Sequence, residues 1–410
     1  KIRDMTPRTS APARHALLVS GLILLAAAAL TLGNLQLTRS SPGGTDFLYR
    51  WLPVRLVLVE GYADPYSPEV EYQVELMHYG RARQGNELPG IFAYPYYITP
   101  LYIPFALIAD YALARALWMT LLETVILASV FLTIRLLGLK PRPSLLIALL
   151  LFALFFPYFT QALVDGNPSP LAAFFVLVSL YFISRNRDWP GGVFLALAAI
   201  KPQLVLLVFV LVGLWALSNR RWKLLASTAL TLALLLGGAF AFHPGWLTGF
   251  LADLSVYPSI DVPYSVRTIL DGWLPQAAGW IALLVSLVVG IVLLKEFAGV
   301  WRKGFMALFW AVCLTFALAP LSGLNSAHSA YIAALPGIVW LMDALEKRHP
   351  RGLLPEGILL AGVVAGWVLF ALGRQVSLGD MQAYYLTFFL PPPFLAAGLY
   401  WLKRKTAPTS

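Results

Sequence analysis

An all-α polytopic membrane protein with about twelve transmembrane helices is the fold class this sequence predicts, and three observations predict it. Hydrophobic residues make up 59% of the chain and charged residues only 12%, and the mean hydropathy of +0.73 lies outside the range of an ordinary soluble domain. The apolar residues gather into runs close to the roughly 20 residues that span a bilayer. The basic residues fall in short clusters between those runs. The net charge of +10 is therefore read as an orientation signal and an attraction to anionic membrane lipids, and no nucleic-acid partner is expected.

Taken in order, the apolar runs lie at about 16–36, 112–138, 144–161, 168–184, 190–201, 203–217, 222–242, 276–297, 304–320, 326–343, 355–373 and 383–402. The first lacks a small-residue cleavage signature and is read as a retained span. The whole of 1–410 is then one integral membrane domain. It comprises a first span at 16–36, a long outer loop at 37–111, core spans at 112–242, a second outer loop at 243–275 and C-terminal spans at 276–402. Basic clusters at Arg8 and Arg14, Arg135 to Arg142, Arg185 and Arg187, Arg220 to Lys223, Lys295 to Lys303, Lys347 to Arg351 and Lys403 to Lys405 all fall on one side if both termini are cytoplasmic. That arrangement predicts a plasma membrane of the bacterial inner-membrane type, with the long loop outside.

Residues 97–110 carry Pro100 and Pro104 and would break the charge pattern if they crossed fully. They are expected to form a re-entrant or tilted half-span; a full crossing gives thirteen spans. The runs 190–201 and 203–217 are short and meet at Lys201-Pro202, where proline prevents one continuous helix. Broken helices of this kind commonly border a site in a membrane protein. The outer turn Asp165-Gly166-Asn167 is followed by Pro168, a favoured residue where a helix begins.

The long loop is the segment most suited to chemistry, being acidic, rich in Tyr, Trp and Pro, and predicted to contain amphipathic helices. Asp46 follows Gly43-Gly44-Thr45 at the outer end of the first span and can act as a general base if it reaches a substrate hydroxyl. The structural alternative is that Thr45 or Asp46 caps an amphipathic helix. Lys201 is an ionisable group within an apolar run; it either binds phosphate as a point charge or snorkels to the interface. Arg267 and His328 are further phosphate candidates, set against a solvated arginine and a structurally bonded histidine. Arg115 and Glu123, in one span, could each belong to an ion pair. The loop aromatics form an interfacial belt by default, with sugar stacking as the sharper alternative.

The single cysteine, Cys313, excludes an intrachain disulfide. The five histidines and that cysteine show no metal-ligand spacing, and no DxD motif occurs, so no cofactor is expected; a carboxylate-only Mg or Mn site is compatible with the composition. Neither a Walker A motif nor a dinucleotide fingerprint is present, which argues against nucleotide hydrolysis and dinucleotide redox chemistry.

The ordered series TDF after the first span, GYADPYSP, YPYYITPLYIP, DGNPSP, GGVFLALAAIKPQ and AHSAYIAALP resembles glycosyltransferase family 87, the polyprenyl-phosphate-mannose-dependent α-mannosyltransferases of the GT-C class, over most of residues 16–345. The resemblance implies a GT-C fold and an inverting transfer on the extracytoplasmic face. It implies a polyprenyl-phosphate sugar donor, mannose in the family, and a lipid-linked or glycan acceptor. Asp46 matches the catalytic aspartate of the family's first outer loop, and Lys201, with Arg267 and His328, would stabilise the leaving phosphate. Asp165, Asn167, Tyr94 and Tyr264 are the candidate substrate-binding residues. The glutamine of the family's Gly-Gln-x-Asn loop is absent at Gly166-Asn167-Pro168, as is the tryptophan that often precedes the histidine. A transporter or lipid flippase would also suit broken helices and an intramembrane lysine, but it should show matching breaks in two halves, and the breaks here cluster in the first half.

Overall fold

The computed structural model describes residues 11–41, 43–85, 87–256, 265–323, 328–375 and 389–406. Among the described residues the secondary structure is helical throughout, as apolar runs with no water to satisfy their backbone require. The helices are α1 (Ala11–Ser40), α2 (Thr45–Val59), α3 (Pro68–Tyr79), α4 (Thr99–Ala106), α5 (Tyr111–Leu137), α6 (Pro143–Phe155), α7 (Pro157–Asp165), α8 (Ser169–Ser184) and α9 (Asp188–Leu197). They continue with α10 (Pro202–Ser218), α11 (Trp222–Phe242), α12 (Trp246–Val256), α13 (Val266–Asp271), α14 (Ala278–Gly299), α15 (Phe305–Leu318), α16 (Leu335–Arg348), α17 (Leu354–Gln375) and α18 (Pro391–Thr406).

The chain is an all-α polytopic membrane protein, but the expected twelve spans are not what helix length gives. Among the described residues seven helices are long and apolar enough to cross a membrane, and an eighth appears if α6 and α7, bent by 50°, count as one. The bend falls at Phe156-Pro157, inside the run predicted as a single span over 144–161, because proline cannot continue the helix. The pair meeting at Lys201 is broken as the sequence predicts: α9 tightens into a 3-10 turn at Ala198–Ile200, and Pro202 opens α10. Both halves are shorter than a full span. The greater part of the run at 383–402 lies in α18, and residues 376–388 lie outside the described residues.

The loop after the first span is folded. A Ser67 hydroxyl caps α3, with Pro68 in its first turn, and α4, at 8 residues, is only about 12 Å long, too short to cross. The thirteen-span alternative therefore lapses. The loop aromatics form a core instead of an interfacial belt. Phe47 stacks on Trp118, with ring centroids 5.7 Å apart, and Trp118 stacks on Tyr102 at 4.9 Å. Trp51 donates to the Phe105 carbonyl at 2.8 Å. This packing fastens α2 and α4 to the N-terminal end of α5.

Among the described residues, basic residues of the clusters from Arg142 onward meet at one end of the bundle. Arg142 bonds Glu346 and the Pro350 and Gly352 carbonyls, Arg348 lies over Trp401, and Lys403 pairs with Glu296. Trp215 donates to the Lys303 carbonyl, and Arg221 pairs with Asp188. The segment Ser329–Arg348, 20 residues long, carries Arg348 at this end and Ser329 at the other, about 30 Å away.

Candidate active site

The start of α2 is set by two glycines. Gly44 has φ 80°, and a Cβ there would fall 2.3 Å from Arg115 Nε and 2.9 Å from the Tyr111 hydroxyl. Tyr111 donates to the Gly43 and Gly44 carbonyls at 2.9 and 3.1 Å. Arg115, buried, donates to the Ser41 carbonyl at 3.1 Å and to Val164 at 2.9 Å. Only glycine lets the chain pass this close to α5. The end of α1, the start of α2 and the end of α7 are thereby clamped around one side chain.

Asp46 sits in the first turn of α2, where the helix dipole favours a carboxylate. It does not serve as the cap, since Gly44 holds that position with no side-chain bond. Its carboxylate turns elsewhere. Oδ1 accepts from Arg50 Nη1 at 2.8 Å, and the same nitrogen donates to the Asp46 carbonyl at 2.6 Å. Oδ2 accepts from Asn167 Nδ2 at 2.7 Å. The side chain stays 30% exposed.

Asn167 reaches Asp46 because Gly166 ends α7 in the left-handed conformation, φ 73°. A Cβ on Gly166 would lie 2.5 Å from Phe47 Cβ, and Trp118 holds the Gly166 carbonyl at 2.8 Å. The Asn167 oxygen accepts from the Ser169 amide at 3.0 Å, the Ser169 hydroxyl at 2.8 Å and Lys201 Nζ at 2.7 Å. With donors on one side and a carboxylate on the other, only one orientation of this amide satisfies every partner.

Lys201 Nζ also donates to Ser169 Oγ at 2.6 Å and to Ser329 Oγ at 3.1 Å. The residue is 3% exposed, which rules against snorkelling. Three acceptors for three protons are what a buried ammonium requires, and Asp46 is the negative charge that acts on it. Residues from the loop helix α2, the α7–α8 turn, the α9–α10 break and the turn before α16 thus meet in one polar chain inside an apolar protein.

Three residues in this chain go beyond those singled out from the sequence. Arg50 is buried beside Asp46, and its four-residue spacing on one helix was the available signal. Ser169 and Ser329 carried none, because small hydroxyl residues are common in apolar helices.

The other candidates fall into place around this chain. Asp165, last residue of α7, lies near enough to Arg115 and Tyr111 for its charge to act on both. Tyr94 is buried with its ring 4.2 Å from the Arg50 guanidinium. Arg267 is 71% exposed, pairs with Asp271 at 3.6 Å and stands outside the chain. The backbone of His328 opens the 3-10 turn that carries Ser329; its side chain and Tyr264 lie outside the described residues. Glu123 accepts from Asn34 at 2.9 Å, joining α1 to α5. Arg115 holds the two carbonyls named above, so these two residues do not form an ion pair with each other.

A recess of about 70 Å³ opens onto Asp46, lined also by Thr45, Tyr49, Arg50, Leu88, Pro89 and Ile91. Ligand pockets usually begin at about 300 Å³; Leu88, Pro89 and Ile91 form one wall of this smaller recess. Among the described residues no group of three or more His, Cys, Asp or Glu side chains gathers as a metal-ligand set.

The family model for glycosyltransferase family 87 matches residues 92–326. The match takes in Asn167 and Lys201, and Asp46 lies upstream of it. No curated protein and no solved structure matches the chain.

Proposed function

The chain belongs to glycosyltransferase family 87, and from that premise we propose that it moves a sugar, mannose, from a polyprenyl-phosphate donor to a glycolipid or glycan acceptor on the extracytoplasmic face, with inversion. The observation that carries this reading is the joining of a partly exposed carboxylate to a buried ammonium through one amide, Asp46–Asn167–Lys201, at the end of the bundle away from the basic clusters. Asp46 takes the proton of an acceptor hydroxyl as that oxygen attacks the anomeric carbon. The bond from that carbon to the phosphate oxygen breaks, and polyprenyl phosphate leaves with the electron pair.

Asn167 and Arg50 hold the carboxylate in one rotamer, so the base needs little reorganisation at the moment of reaction. The protons of Lys201 are taken up by Asn167, Ser169 and Ser329; it stabilises the leaving phosphate through its charge, in surroundings where water screens little. His328, next to Ser329, and Arg267 on the outer loop are proposed as further phosphate contacts. A donor already in the bilayer suits a chain whose catalytic groups sit at helix ends.

The test is Asp46→Asn in purified protein supplied with polyprenyl-phosphate [14C]mannose and membrane glycolipid extract. Transfer falls by about 10²-fold or more with an unchanged melting temperature; turnover near that of the parent protein would remove Asp46 as the base.

A further inference from the structure

Helix α12, in the second outer loop, has 11 residues, about 16 Å, and does not cross the membrane. It docks on the first loop. Gly249 lies against Tyr66, where a Cβ would meet the ring at 2.7 Å, and Trp246 packs edge-on against Tyr97. One turn beyond Gly249, Asp253 is buried. Its Oδ2 accepts the Ala93 amide at 2.8 Å.

Ala93 is held at φ 48°, a left-handed conformation that costs a residue bearing a Cβ about 1–2 kcal/mol. Such a conformation persists only where its surroundings impose it, and the buried carboxylate does so here. The Tyr66 hydroxyl fixes the next carbonyl, that of Tyr94, at 2.6 Å. The turn delivers the Tyr94 ring to the Arg50 guanidinium at 4.2 Å, and Arg50 holds Asp46 at 2.8 Å. We propose that Asp253 is a positioning residue for the Asp46 carboxylate, acting through the Ala93–Tyr94 turn and Arg50. The inference rests on Asp46 being the base, and it assigns the second outer loop a task in catalysis.

Burial pushes the Asp253 carboxyl up to about 6, with Glu71 and Asp64 adding to the rise and the Ala93 and Phe92 amides opposing it. Tyr66 also faces it, and His243 lies 3.1 Å from Asp64. Protonation weakens the carboxylate as an acceptor for the Ala93 amide, so turnover declines as pH falls through about 6.

The experiment compares Asp253→Asn and Asp253→Leu with the parent protein in nanodiscs, using polyprenyl-phosphate [14C]mannose and membrane glycolipid extract. Asp253→Leu lowers kcat at least tenfold with donor KM within twofold, and raises hydrogen–deuterium exchange over residues 91–97. Asp253→Asn keeps an acceptor, lowers kcat less than Asp253→Leu, and loses the decline near pH 6. Combining Asp253→Leu with Tyr94→Leu costs no more than the larger single effect, because both act through one turn. Parent-like kcat in Asp253→Leu, or independent multiplication of the two effects, would overturn the relay. Retained turnover in Asp46→Asn would instead overturn the premise. The exchange measurement needs no turnover, and unchanged exchange over 91–97 in Asp253→Leu would count against the relay whatever the base is.

Discussion

Asp46 and Lys201 share one amide: Asn167 gives its nitrogen to the carboxylate at 2.7 Å and its oxygen to the ammonium at 2.7 Å. A charge pair bridged this way keeps both ions in fixed positions without letting them collapse into direct contact. The ammonium is satisfied inside the protein, while the carboxylate keeps an accessible edge.

Asn167→Asp tests the bridge. The substitution sets a second carboxylate within hydrogen-bond distance of Asp46, and two such groups do not ionise together readily. The acid limb of the pH–rate profile moves to higher pH, with a lower plateau. Asn167→Ala loses activity without that displacement. A superimposable profile for Asn167→Asp would place the amide outside the site.

Lys201→Met tests whether the buried charge acts in the transition state. Charge stabilisation of a leaving phosphate appears in kcat, which falls by about 10²-fold, with donor KM changed far less. Steady-state kinetics with varied donor separate the cases: a raised donor KM at retained kcat would make Lys201 a ground-state binder.

Gly166→Ala tests the close approach of α7 to α2. The new Cβ meets Phe47 Cβ at 2.5 Å on a backbone with φ 73°, so strain and overpacking together cost about 2 kcal/mol or more. The melting temperature falls, and activity falls with it as Asn167 is pushed from Asp46. An unchanged melting temperature would mean that the turn relaxes freely.

The segment lining the recess beside Asp46 is tied down by Glu87, which accepts from Arg81 at 2.7 and 2.8 Å and from the Gln84 amide at 2.7 Å. These bonds pull the Glu87 carboxyl down to about 2. A depressed carboxylate contributes order that is present above its ordinary value of about 4.3 and is lost as pH falls toward 2. Hydrogen exchange over 81–91 therefore rises in that window, and in Glu87→Gln it is already raised at neutral pH. Equal exchange in the two proteins at neutral pH would release the ion pair from this task.

What the sequence determined by itself was the solvent of the protein and the points at which its helices fail. Composition demanded a bilayer, and Pro157, Gly166 and Pro202 broke helices where their backbone chemistry requires it. Lys201 could be singled out because an ionisable residue within an apolar run is costly and therefore rare, while Asp46 and Asn167 stood out through the resemblance of their motifs to the family's. Arg50 could have been found by its spacing from Asp46, but Ser169, Ser329 and Asp253 could not, since nothing local distinguishes a serine in an apolar helix or an aspartate in an outer loop.

The tertiary structure decided which of these residues meet. Arg50 lies on α2, Asn167 in the α7–α8 turn and Lys201 at the α9–α10 break, and whether a lysine snorkels or turns inward depends on acceptors supplied by distant segments, here Asn167, Ser169 and Ser329. The same holds for span count, because a short apolar helix is a crossing or a fragment according to what its neighbours offer its ends. Burial and partnership belong to pairs of segments, and no single segment encodes them.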